Sequence, residues 1–152
     1  MDEKMLPALQ QGQLAARISQ LRESNEVSKR YGLSLSAAQI TSLIAAESET
    51  LSACGRLEFG EGILPRLICS FCDSPYINRE DYAAVLETLQ ELFYTYKNEL
   101  DDELSDDELL EAMYKLFHGE AQGSLEYLEN IATETLLKAL RSDGGDEDEE
   151  DG

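Results

Sequence analysis

Cys69-Ser70-Phe71-Cys72 has the one spacing in this chain that belongs to established thiol chemistry. In a redox protein, a CxxC lets one thiolate attack while the second resolves the mixed disulfide. The pair then sits at a helix start, where the dipole lowers the thiol pKa. Here the apolar pattern puts the pair late in a helix, where the dipole has the opposite sign. No cation stands between the cysteines, and no βαβ pattern surrounds them. With Cys54 and His118, the pair supplies the donor types of a closed Cys3His zinc site, so the candidate metal set is Cys54, Cys69, Cys72 and His118. A second CxxC is missing, and His118 is equally suited to the negative end of a helix. Cysteine is also a common small core hydrophobe. The expectation is therefore core thiols and no resident cofactor, with zinc or thiol chemistry as the alternative.

A second constellation is polar. Arg56, Glu58, Glu61, Arg66, Asp73 and Tyr76 fall within the most apolar and glycine-punctuated stretch. Gathered by the fold, they would line a polar pocket, and a carboxylate-based enzyme would draw on Glu58, Glu61 or Asp73. Ion pairs that tie an irregular loop to helices are the preferred reading, because such pairs also bring charges together. There is no Ser–His–Asp order, no glycine loop with Lys for phosphates, and no HExxH. The acidic run from Glu99 to Glu111 invites a calcium loop beginning at Asp101. It then has Asp106 where the EF-hand turn needs glycine and Ala112 where it needs a bidentate glutamate. Calcium is rejected, and nothing argues for catalysis.

The elements that must position these residues are helical wherever a period is visible. Tyr82, Val85, Leu86, Leu89, Leu92, Phe93 and Tyr96 form one stripe of a helix over Arg79–Asn98, about 30 Å long. Asn78 is its expected N-cap. Ser105-Asp106-Asp107-Glu108 is a capping box opening a helix through Leu109, Leu110, Met113 and Phe117, with Gly119 expected as its left-handed stop. Ser124 begins a last helix that carries Leu125, Leu128, Ile131, Ala132, Leu136 and Leu140. Upstream, Gln13–Tyr31 and Ser36–Cys54 have helical spacing and stop at Gly32 and Gly55. Ile63–Cys72 reads as a buried helix with Pro65 in its first turn. Arg56–Phe59 alternates as a short extended segment would. The fold class is all-α, a single irregular bundle of five to seven helices. It comprises an arm over 1–12, a helical domain over 13–141 and an acidic tail over 142–152.

Charge narrows the partners. The chain has 152 residues, 32 acidic against 12 basic, for a net charge of -20, with 42% hydrophobic residues. That aliphatic content supports a folded core despite the charge. Nucleic acid and anionic membranes are disfavoured, since both are bound through Lys and Arg. No apolar run reaches the roughly 18 residues of a spanning helix, and the start Met1-Asp2-Glu3-Lys4 leads into no signal-like apolar region. Three cysteines suit a cytoplasmic setting. Seven of the acids lie in Asp143–Asp151, which should be a solvated, disordered tail, and the remainder of the chain still carries an excess of thirteen negative charges.

Three segments, YGLSL at Tyr31–Leu35, RLEFGEGI at Arg56–Ile63 and FCDSPYI at Phe71–Ile77, resemble a family of small proteins of unknown function from Gram-positive, clostridia-type bacteria. The resemblance covers Gln13 to Arg141. It implies a bacterial cytosolic setting and attention to the FGEGI and FCDSPYI segments, and it supplies no catalytic residues. The functional expectation is a non-catalytic helical interaction or adaptor module whose protein partner has a basic surface. Self-association through an uncovered apolar face stays open. The excess negative charge should also weaken the compact state by self-repulsion, which salt screens beyond about 8 Å at physiological strength. The melting temperature is therefore expected to rise as salt is added from very low levels. A flat or falling curve in differential scanning calorimetry would mean the carboxylates are already compensated.

Overall fold

The computed structural model describes residues 5–56 and 62–140, with residues 5–13 as backbone alone. The elements are α1 (Met5–Lys29), α2 (Ala37–Ala53), α3 (Leu64–Phe71), α4 (Tyr82–Glu99), α5 (Asp106–His118) and α6 (Leu125–Glu129), and residues 133–140 are also helical. No strand occurs among the described residues, so the fold is all-α. Residues 57–61, which hold most of the extended segment read at Arg56–Phe59, lie outside the described residues, as does the acidic tail over 142–152.

Local signals account for most helix ends. Ser36 and Ser105 each close a capping box, with Gln39 and Glu108 reaching back to the cap amide. Pro65 stands in the first turn of α3, where its missing N–H costs nothing. Gly32 ends α1 and Gly55 ends α2, at φ 83° and 70° respectively. In each case the residue after the glycine donates its amide back into the last turn, Leu33 to the Ser28 carbonyl and Arg56 to the Leu51 carbonyl.

Four expectations change in detail. α1 starts at Met5, so helix runs through most of the segment read as an N-terminal arm. α4 starts at Tyr82 because residues 78–81 close a turn first, with the Asp81 amide on the Asn78 carbonyl. Asp81, and not Asn78, is the N-cap, and its side chain makes no capping bond. Gly119 ends α5 at φ -103°, outside the left-handed region, which Gln122 and Gly123 occupy instead. The last helix breaks after Glu129. The Tyr96 hydroxyl donates at 2.6 Å to the Leu128 carbonyl and lies 3.3 Å from that of Ile131, partnering backbone groups that the break sets free.

α4 is the central element, packed against α2, α3, α5 and α6, while α1 lies across α2 and α3. Six of the seven stripe residues of α4 are buried and Val85 is half-buried. The core continues through Leu43 and Ile44 of α2, Leu67, Ile68 and Phe71 of α3, and Leu109, Met113 and Phe117 of α5. Burying each such aliphatic side chain stabilises the fold by roughly 1.5–3 kcal/mol. The loop between α1 and α2 is fixed by Asn25, whose carboxamide makes both hydrogen bonds to the Leu35 backbone as a neighbouring strand would.

A carboxylate lies at the centre of this core. Glu47, 1% exposed, accepts from Arg17 Nη1 of α1 at 2.9 Å, from the Ile63 amide at 2.9 Å and from the Tyr94 hydroxyl of α4 at 3.0 Å. Its carboxylate lies so close to Gly62, at φ 78°, that a Cβ there would meet an oxygen at 2.5 Å. Glycine is required at this position twice over, by space and by backbone sign. Glu47→Ala should destabilise the protein by about 3–5 kcal/mol in urea unfolding, because it removes the buried acceptor shared by Arg17, the Ile63 amide and the Tyr94 hydroxyl. Glu47→Gln, which keeps one acceptor oxygen, should cost less.

Tyr82, 1% exposed, lies beside Ser28, and its hydroxyl has no hydrogen bond of good geometry. Burial pushes its pKa up from 10.0 to about 12. The folded value exceeds the unfolded one, so this contribution is complete below pH 10 and is lost as the pH climbs toward 12. Tyr82→Phe should therefore leave stability at pH 7 nearly unchanged and make the alkaline loss shallower. Unfolding free energies at several pH values between 9 and 12 would check both outcomes.

Candidate functional site

The sequence-derived site residues separate into three places. Arg56 goes to the far end of α4, where its guanidinium donates to Asn98 Oδ1 at 2.6 Å and Asp102 Oδ1 at 2.8 Å. That hydrogen bond holds the Asp102 carboxyl below its ordinary value. Asn98 in turn donates to the Cys54 carbonyl, so Arg56 and Asn98 together tie the end of α2 to the end of α4. Arg66 on α3 pairs with Asp107 at the start of α5 at 2.8 Å. The Arg66–Asp107 pair thus joins two helices, while Arg56 ties the end of α2 to the far end of α4. Glu58 and Glu61 lie outside the described residues, and the described members of the polar set do not gather into one pocket.

Asp73 and Tyr76 lie at the other end of α3, beside His118. Tyr114 donates its hydroxyl to Asp73 at 3.1 Å, and its pKa is raised by burial and by that carboxylate. The His118 ring packs among Phe71, Tyr76, Tyr114 and Phe117, with centroids 4.1 to 6.3 Å apart. Its Nδ1 faces the Tyr114 carbonyl at 2.9 Å and its Nε2 faces Ser74 Oγ at 2.7 Å. A carbonyl can only accept, so Nδ1 carries a proton, and in neutral His118 Nε2 accepts the Ser74 hydroxyl.

A serine hydroxyl on an imidazole is the first half of a nucleophile–base unit. The remainder is absent here. A backbone carbonyl, not a carboxylate, orients the ring, Ser74 is buried, and its oxygen also accepts the Tyr76 amide at 3.2 Å. The pair is a clamp joining the α3–α4 connection to the end of α5. Sequence order did not disclose it, since the partners are 44 residues apart.

The thiols are not assembled into a centre. Cys69 is exposed, Cys72 is buried and Cys54 is intermediate, and all three are free. Among the described residues no group of three or more His, Cys, Asp or Glu side chains is placed to hold a metal ion. Among the described residues, Cys54, Cys69, Cys72 and His118 are not brought together as one ligand group. Cys54 ends α2, whereas the CxxC ends α3, and both nitrogens of His118 are occupied by Tyr114 and Ser74. Burial pushes the Cys72 thiol up, with Asp73 and Cys69 adding to the shift, which disfavours the thiolate.

Sequence reasoning missed a groove of about 350 Å³ between α2 and α4. Ala46, Glu49, Thr50, Ala53 and Cys54 form one wall, and Glu87, Glu91 and Thr95 form the other. Beneath the surface Gln90, fully buried, donates to Thr50 at 2.9 Å and joins the two walls. The three carboxylates are exposed, and none makes an ion pair among the described residues. Glu87 and Glu91 are also four residues apart on one helix, where like charges repel. The signal was present in sequence as two helical stripes, 46/49/50/53 and 87/91/95. Only their juxtaposition was invisible.

An all-α domain with a groove lined by exposed carboxylates describes a class of helical protein and defines no reaction. Residues 20–146 match the family of unknown function DUF6323, and the chain belongs to that family. No curated protein and no solved structure matches the chain. No helix of the described residues is long and apolar enough to cross a membrane.

Native thiol reactivity follows from these placements. Modification by an aromatic disulfide reagent should reach Cys69 fastest and Cys54 more slowly, leaving Cys72 protected until the chain unfolds. Peptide mapping of the labelled protein checks the order. Rapid labelling of Cys72 in the native state would contradict its burial.

Proposed function

We propose that this protein is a non-catalytic interaction module of the bacterial cytosol that seats a basic helical segment of a partner protein in the α2–α4 groove. The observation that carries the reading is the set of three unpaired carboxylates, Glu49, Glu87 and Glu91, facing one groove. A surface that leaves like charges side by side is weaker alone than with a cationic partner, since the repulsion is relieved on binding. Ala46, Thr50, Ala53 and Thr95 keep the walls low, so a helix could approach and place Lys or Arg side chains against the carboxylates. The overall charge of -20 adds long-range attraction for a basic segment and repels phosphate backbones and anionic lipid.

The test uses a Lys-rich amphipathic helical peptide as the probe, with binding measured by fluorescence anisotropy at two salt concentrations. Glu87→Gln with Glu91→Gln should weaken binding at least tenfold, while the same neutralisation of Glu23 and Glu26 on α1 should change it little. Removal of residues 142–152 separates groove binding from attraction to the acidic tail. If groove neutralisation has no effect and tail removal abolishes binding, the reading fails. Glu91→Lys should abolish binding and yet leave the fold a few tenths of a kcal/mol more stable, about the size of one Glu–Lys pair on a helix surface.

A further inference from the structure

We draw no further inference here: the strongest candidate outside the groove, the Ser74–His118 pair within the aromatic cluster at the shared end of α3 and α5, places a hydroxyl 2.7 Å from a base, but Ser74 is buried, its oxygen already accepts the Tyr76 amide, and a backbone carbonyl instead of a carboxylate orients the ring.

Discussion

The carboxylate of Glu47 is the constraint on which most of this architecture depends. It sits on the buried face of α2 and takes hydrogen bonds from α1, from α4 and from the backbone where α3 begins. A charge removed from water is tolerated only when its lone pairs are met by donors, and here a guanidinium, an amide and a phenol meet them. Each of those donors comes from a different part of the chain. The helices can therefore close around Glu47 in one relative arrangement, whereas aliphatic packing alone would admit several. Gly62 follows from the same requirement, since the carboxylate occupies the volume a side chain would need.

The same economy of polar contacts appears wherever chain segments meet. Asn25 satisfies both backbone groups of Leu35, Tyr96 covers carbonyls at the break after α6, and His118 fastens Ser74. Lys97, buried on α4, lies 2.6 Å from the Leu104 carbonyl and pairs with Asp106 at 2.8 Å, pinning the α4–α5 connection. Asp101 and Asp102 adopt left-handed backbone in that connection, a conformation that aspartate tolerates better than most residues. The acidic run read at first as a calcium-loop imitation is thus a tightly held turn, anchored by one lysine and one arginine.

Against this background the α2–α4 groove stands apart. Most described charges near the core have partners, yet the groove collects three carboxylates with no cation and small residues between them. Folding does not require such an arrangement, because Lys at position 91 would serve the helix better. The contrast with the CxxC is instructive. That motif carries familiar chemistry in its spacing, but at the end of α3 it packs Cys72 into the core and leaves Cys69 exposed.

The middles of most helices, the capping serines Ser105 and Ser124 and the glycine stops Gly32 and Gly55 were legible in the sequence, because capping boxes and 3.6-residue periodicity act over a few residues of chain. The class of the fold followed from them. One further signal could have been read: Ile40, Leu43, Ile44 and Leu51 leave position 47 on the same apolar stripe, and a glutamate there announces a buried charge. Its partners could not be read, since Arg17, Ile63 and Tyr94 lie 30, 16 and 47 residues away. The groove and the Ser74–His118 clamp were hidden for the same reason. Local backbone preference is written in neighbouring residues and is available to any reader of the chain. Pairing across helices depends on which faces meet, and only the packed structure decided that.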